Sequence, residues 1–442
     1  MMNVNELINK AKKAGISDIE VYQVISETTS ISLFNGEIDK SNINSANVYN
    51  IRAIYNGKMA GYTFENQDAD LDEIIEKLKA NAKVLTSTDE VEIFGGSEKY
   101  EKIEREDPQY DKHSITEKVN LLKEAERIAK SLDKRIVLVD YCIYEESKDT
   151  ARIINSKGLN LEKGGNFAYM VLGVVSKEGE ENPQNGFEVK VAFKYDELNP
   201  EELAKKAVKK AVSMLGASPC ESKTYPVIVE NEAMASLLSG FESIFTGNAL
   251  LNKVTPLAGK ENEKIMQDCV NIIDAPLDLE SVNAQPFDDE GVACYNKPIV
   301  EKGVFKTFMH NLKTAKKFNT KTTGNGVKAG GGISTASYNL YIDKGDKTKE
   351  ELIASVDEGL LITDFSGLHA GLNPISGDFS AQSSGYYIKN GKIERPVTLI
   401  VVSGNFLKMM NEIEAIGSDL YKGYNGKGAP SILFKGLPVS GK

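Results

Sequence analysis

The sequence predicts an α+β chain. Its N-terminal part reads as duplicated helix and antiparallel-sheet layers, followed by a β-rich barrel- or sandwich-like C-terminal domain. Three observations carry this. Helical and strand-like patterns alternate in the same order twice before residue 216. The texture then shifts to Gly-punctuated strands from about residue 222. At 442 residues, the chain is long enough for two or three domains with real cores. The expected division is 1–221, with internal copies at about 1–90 and 113–216, and 222–442.

Residues 5–14 have the apolar spacing of a short helix, with Gly15 as its stop. Strand-like runs follow at Ile19–Val24, Thr29–Phe34, Val48–Tyr55 and Lys58–Thr63. Asn35-Gly36 and Asn56-Gly57 between them predict tight hairpin turns. A helix is expected from about Leu71 to Leu85, then a polar connector over 86–112. The second copy opens with a helix near Ser114–Leu132, whose stripe is Leu121, Leu122, Ala125, Ile128 and Ala129. Strands are expected at Ile136–Tyr144, Thr150–Asn155, Ala168–Ser176 and Phe187–Phe193. Asn199-Pro200 then opens another helix, with Gly216 as its end.

In the C-terminal half, Tyr225–Val229 is a short strand leading into a helix with Asn231 as the expected N-cap. Hairpin turns are expected at Glu301-Lys302-Gly303 and at Asn390-Gly391. Thr348-Lys-Glu-Glu351 is a capping box for a helix that Gly359 should close.

Composition narrows the function. The net charge of −11 argues against a general nucleic-acid or anionic-membrane surface. No run approaches the length of a membrane span, and the first residues hold no apolar leader core. The expected setting is the cytoplasm, with reduced cysteines. Only three histidines and four cysteines are present, His113, His310, His369, Cys142, Cys220, Cys269 and Cys294, with no pair at ligand spacing. Zinc sites draw mostly on these residue types, so no metal ligand is expected. Phosphate-loop and nucleophile-elbow patterns are also missing. The glycine run Gly330-Gly331-Gly332 precedes a strand, so it reads as a tight loop or as backbone left bare for a ligand.

Several short segments together resemble one family. They are Pro286-Phe-Asp-Asp-Glu-Gly291-Val, Gly303-Val-Phe-Lys, Thr323-Gly324, Ile375-Ser-Gly377-Asp378-Phe-Ser, Gly385-Tyr-Tyr-Ile-Lys-Asn390-Gly391, and Ile416-Gly-Ser-Asp419-Leu. Their order and spacing resemble the TldD/PmbA family, labelled modulators of DNA gyrase or peptidase family U62. The PmbA/TldE-like branch is the nearer. The resemblance implies a two-subunit zinc protease acting on small or unfolded peptides. TldD-like chains carry H-E-x-x-x-H on the helix after a strand. Here Asn231 and Ser236 occupy the histidine positions, and only Glu232 matches. Asn and Ser are poor substitutes for imidazole at zinc, and a lone glutamate has no metal-bound water to deprotonate.

The resemblance therefore implies a non-catalytic subunit, with zinc in a TldD-like catalytic partner and peptides as substrates. Peptide contacts are expected at the loops 329–337 and 371–384, with Gly330, Gly331, Gly332, Ser376, Gly377 and Asp378 as candidates. No catalytic group is assigned, and Glu232 is the one residue considered for that role. Two alternatives stand beside this reading. One is a self-associating peptide-binding protein, homodimeric when isolated. The other is a metallopeptidase with atypical ligands, such as His310 or His369 with Glu232 or Asp378.

Overall fold

The computed structural model describes residues 2–65, 69–86, 90–329 and 332–442. It divides into two compact units. The first holds residues 1–212 with the segments Gln285–Cys294 and Asn311–Ser334; the second holds the rest.

In the first unit the element order repeats. Helix α1 (Val4–Lys13), strands β1 (Asp18–Phe34), β2 (Glu37–Tyr55) and β3 (Lys58–Phe64), and helix α2 (Leu71–Val84) form one set. Helix α3 (Ile115–Leu132), strands β4 (Ile136–Asn155), β5 (Asn160–Ser176) and β6 (Gln184–Ala192), and helix α4 (Pro200–Val212) form the other. The six strands make one antiparallel sheet in the order β3-β2-β1-β4-β5-β6. The two sets meet where β1 pairs with β4, from Glu20↔Asn155 to Ser32↔Ile143.

Each set has three long strands where the sequence suggests four short ones. The expected runs Ile19–Val24 and Thr29–Phe34 are the two ends of β1, and Ile136–Tyr144 and Thr150–Asn155 are the two ends of β4. The intervening residues, such as Ser26–Thr28, are polar and partly or fully exposed, so period-2 patterning fades while the backbone ladder runs on. The turns were legible: Asn35 and Gly36 have φ of 50° and 77°, and Asn56 and Gly57 have 50° and 72°. Positive φ at both central residues matches the twist of the flanking strands. Ser114 caps α3 through a reciprocal capping box with Glu117, and Glu202 N–H donates to the Asn199 side chain at the start of α4.

The second unit centres on a closed five-stranded barrel. Its strands follow the order 223–229, 432–440, 392–405, 378–389 and 358–366, and the last returns to the first as a parallel pair. The first of these is β7 (Lys223–Val229), and it leads directly into helix α5 (Asn231–Phe241). Met234, Leu237, Leu238 and Phe241 of α5 join Val227, Val229, Leu360, Ile362, Phe379 and Val402 of the barrel in one buried core. The Phe241 and Phe406 rings stack with centroids 4.7 Å apart.

Two local expectations need correction. Asn231 is the first helical residue rather than the cap; Glu230 holds the cap position and makes no side-chain cap bond. The helix opened by Thr348 ends at Ala354, and Gly359 lies inside the strand Glu358–Ser366. No described helix is long and apolar enough to cross a membrane.

Candidate functional site

Three places hold the candidate residues. The first is the start of α5. Asn231 Nδ2 donates to the Asp419 carbonyl at 2.8 Å, and its Oδ1 accepts the Glu232 N–H at 2.7 Å. The Asn231 N–H donates to Ser431 Oγ at 3.2 Å. Ser431 in turn donates its Oγ–H to Asp419 Oδ2 at 2.7 Å and its N–H to Oδ1 at 3.0 Å. One turn on, Ser236 Oγ donates back to the Glu232 carbonyl at 2.9 Å. Asn231 thus ties the helix to its neighbour at Asp419, while the Ser236 hydroxyl is spent on a carbonyl of its own helix. A neutral amide and a hydroxyl used in this way do not fit a zinc ion. Among the described residues, no group of three or more His, Cys, Asp or Glu is placed to hold a metal. His310 is buried, packs near the Phe308 ring and is pushed down to about 4 by that burial.

The second place is the loop 371–384. It meets α5 at a cavity of about 340 Å³, lined by Ser236, Ser239, Gly240, His369, Leu372 and Pro374 among others. Gly240 lets Leu372 pack closely there: a Cβ would lie 2.1 Å from Leu372 Cδ1, so that side chain would have to move. Ser376, Gly377 and Asp378 do not line this cavity. Asp378 and Ser376 are exposed and serve the turn itself. Asn405 Nδ2 donates to Asp378 Oδ1 at 2.8 Å and to the Ser376 carbonyl at 2.9 Å. The hydrogen bond from Asn405, and after it one with the Ser376 side chain, hold the Asp378 carboxyl below its usual range. Gly377 has a φ of +81°, which favours glycine.

The third place lies in the first unit. Gly332 belongs there; Gly330 and Gly331 fall outside the described residues. Here the segment 286–292 carries three successive acidic residues, all strongly buried and all hydrogen-bonded. Asp288 accepts N–H groups from Glu290 and Val292 at 2.9 Å each, and from Gly326 at 2.8 Å. Asp289 accepts the Tyr22 hydroxyl at 2.6 Å, Lys163 Nζ at 3.3 Å and the Lys328 N–H at 2.9 Å. Glu290 accepts Arg52 Nη1 at 3.2 Å and the Leu312 N–H at 2.8 Å. Arg52 also donates from Nε and Nη2 to Glu20 Oε1, at 3.0 and 2.7 Å.

Environment separates these carboxyls. Complete burial, then the neighbouring Glu290 charge, pushes Asp288 up to about 7 against its N–H donors. Burial raises Asp289 too, but Lys163 and the donated hydrogen bonds overcome it and hold the group below its ordinary value. Sequence reasoning treated Pro286–Val292 as a family mark only. It missed Arg52, Glu20, Tyr22, Lys163 and Lys328. The available signal was a charge inside an apolar strand: Arg52 in Tyr-Asn-Ile-Arg-Ala-Ile-Tyr, and Glu20 in Asp-Ile-Glu-Val-Tyr.

Comparison with known proteins agrees with the resemblance across the chain. The PmbA/TldA metallopeptidase domain 1 matches residues 19–82, the central domain 108–215, and the C-terminal domain 222–441. A metalloprotease PmbA homolog from Buchnera aphidicola is 30% identical over 318 residues, covering 72% of this chain and 69% of that one. A metalloprotease from Archaeoglobus fulgidus is 28% identical over 433 residues, covering 94% and 97%. Among solved structures, a candidate modulator of a DNA gyrase from Thermotoga maritima superposes with a TM-score of 0.92 at 31% identity, over 99% of both chains. TldE from Thermococcus kodakarensis shares the fold, with a TM-score of 0.90 at 24% identity over 99% of this chain and all of that one. By its sequence motifs, domain matches and relatives, this chain belongs to the PmbA/TldD metallopeptidase family.

Proposed function

We propose that this chain is the non-catalytic, TldE-type subunit of a TldD/TldE-type zinc protease that cuts or matures small or unfolded peptides. The observation behind this reading is the state of α5. Its scaffold is intact, yet Asn231 and Ser236 stand at the histidine positions with their polar atoms engaged in hydrogen bonds within the unit. Without a bound metal, Glu232 has no metal-bound water to deprotonate. Zinc and the hydrolytic step then belong to a TldD-type partner. This chain contributes a companion fold with the candidate peptide contacts at the loops 329–337 and 371–384.

The test is a peptidase assay on unfolded peptide substrates, run on this chain, on a TldD-type chain from the same cells, and on their mixture. Zinc is measured in each. Activity and stoichiometric zinc that appear only when the TldD-type chain is present support the reading. Zinc together with hydrolysis by this chain alone overturns it.

A further inference from the structure

The register of the first-unit sheet builds a second cavity. Tyr22 pairs with Asn50, and Asn50 with Thr63; one step along, Glu20 pairs with Arg52, and Arg52 with Gly61. Successive partners on one face of a sheet stack side by side, so these residues share a face. The resulting cavity, about 300 Å³, is lined by Tyr22, Asn50, Arg52, Thr63, Asp289 and Lys328 among others.

The hydrogen-bonding capacity of this wall is lopsided. Asp289, the carboxylate on the wall among the described residues, already accepts from Tyr22, Lys163 and the Lys328 N–H. Asn50 Oδ1 accepts the Thr63 hydroxyl at 2.9 Å. The spare groups are donors. Lys328 Nζ lies 4.8 Å from the centroid of the Tyr22 ring and has no hydrogen-bond or ion-pair partner among the described residues. The Asn50 amide NH2 has no acceptor there either. Both residues are half-buried, so these donors meet solvent and are available to a ligand that brings oxygen acceptors and negative charge.

We propose that this cavity binds a small oxyanion, a carboxylate or a phosphate, through Lys328 Nζ and the Asn50 amide. Burial, with the nearby Arg52 charge second, lowers Lys328 to about 8, while Glu20, Asp289 and Glu290 act the other way. Binding should therefore draw a proton onto Lys328 and weaken as pH rises past that value. This site is independent of the partner-subunit reading, since its ligand is met by this chain alone.

The test is isothermal titration of the full chain with inorganic phosphate, glycylglycine and glycylglycinamide. One saturable site for phosphate, for glycylglycine but not its amide, or for both, is the expected result; the pattern distinguishes a free ion from a peptide carboxylate. Lys328→Met should weaken it at least tenfold. From pH 8 to 10 the wild-type chain should lose affinity by about tenfold per unit, whereas Lys328→Arg, charged throughout, should keep it. No saturation by either anion at millimolar concentration, or affinity unchanged by Lys328→Met in a chain with an unaltered circular dichroism spectrum, overturns the proposal.

Discussion

Arg52 and Glu20 face each other across β1 and β2, with Nη2 2.7 Å from Oε1, both almost wholly withdrawn from solvent. Arg52 reaches Glu290 at 3.2 Å as well, so one guanidinium serves two buried carboxylates. Removing one member of such a set leaves charge buried without a partner, which costs about 3–5 kcal/mol. Arg52→Met should lower the urea midpoint of the first unit accordingly. Adding Glu20→Gln should restore part of the loss. A single variant as stable as the parent would mean that water, not Arg52, satisfies these carboxylates.

At Asn231 the expected loss is smaller. Asn231→Ala removes the hydrogen bond to the Asp419 carbonyl and the acceptor for the Glu232 N–H, so about 1–3 kcal/mol of stability should disappear. Peptide hydrolysis by the mixture with a TldD-type chain should persist at temperatures where the variant stays folded. Glu232→Ala should leave that mixed activity within about twofold, because nothing at α5 supplies a metal-bound water. A loss of a hundredfold or more would restore Glu232 as a catalytic group.

Gly303 turns the hairpin between strands 297–301 and 304–305 with a φ of +73°. A Cβ there would sit 2.1 Å from the Met266 carbonyl oxygen and 2.6 Å from that of Gln267. Both are backbone atoms, so relief requires main-chain movement. Gly303→Ala should destabilise the second unit by about 2–4 kcal/mol, readable as a lowered thermal midpoint.

Two groups should leave a pH signature. His310 is buried with its folded pKa lowered to about 4. The folded state then binds fewer protons than the unfolded state between roughly pH 4 and 6.5, so stability falls as pH falls through that window. Asp288 runs oppositely. Its folded value, raised to about 7, means the folded state holds the extra proton, and stability is lost as pH rises from about 4 to 7. Carboxyl carbon NMR should show an Asp288 titration midpoint near 7. A midpoint below 5 would mean its three N–H donors outweigh burial.

Much of the architecture could be read from local signals. The Asn-Gly turns, the Thr348 capping box and the stripe of α5 all appear where side-chain chemistry demands them. The full strand lengths could not. Residues 37–45 of β2 are exposed on both faces, so no alternation marks them, and only pairing with β1 keeps them extended. The buried acidic residues 288–290 were hidden for a related reason. Three adjacent acids normally mean a solvated loop, and their partners Arg52, Lys163 and Lys328 lie far away in sequence. Ser376 and Asp378 were chosen for small size and polarity, properties that also suit a turn held by Asn405.

The seam between β1 and β4 carries one more implication. Each three-stranded set presents its longest continuous edge at that seam, from residue 20 to 32 on one side and 143 to 155 on the other. Producing either set without the other would leave its seam edge bare, and a bare edge of that length is a template for pairing with other extended chains. The two sets therefore cannot part company as independent modules. What began in the sequence as a repeated pattern is, in three dimensions, one sheet in which each copy covers the other's longest edge.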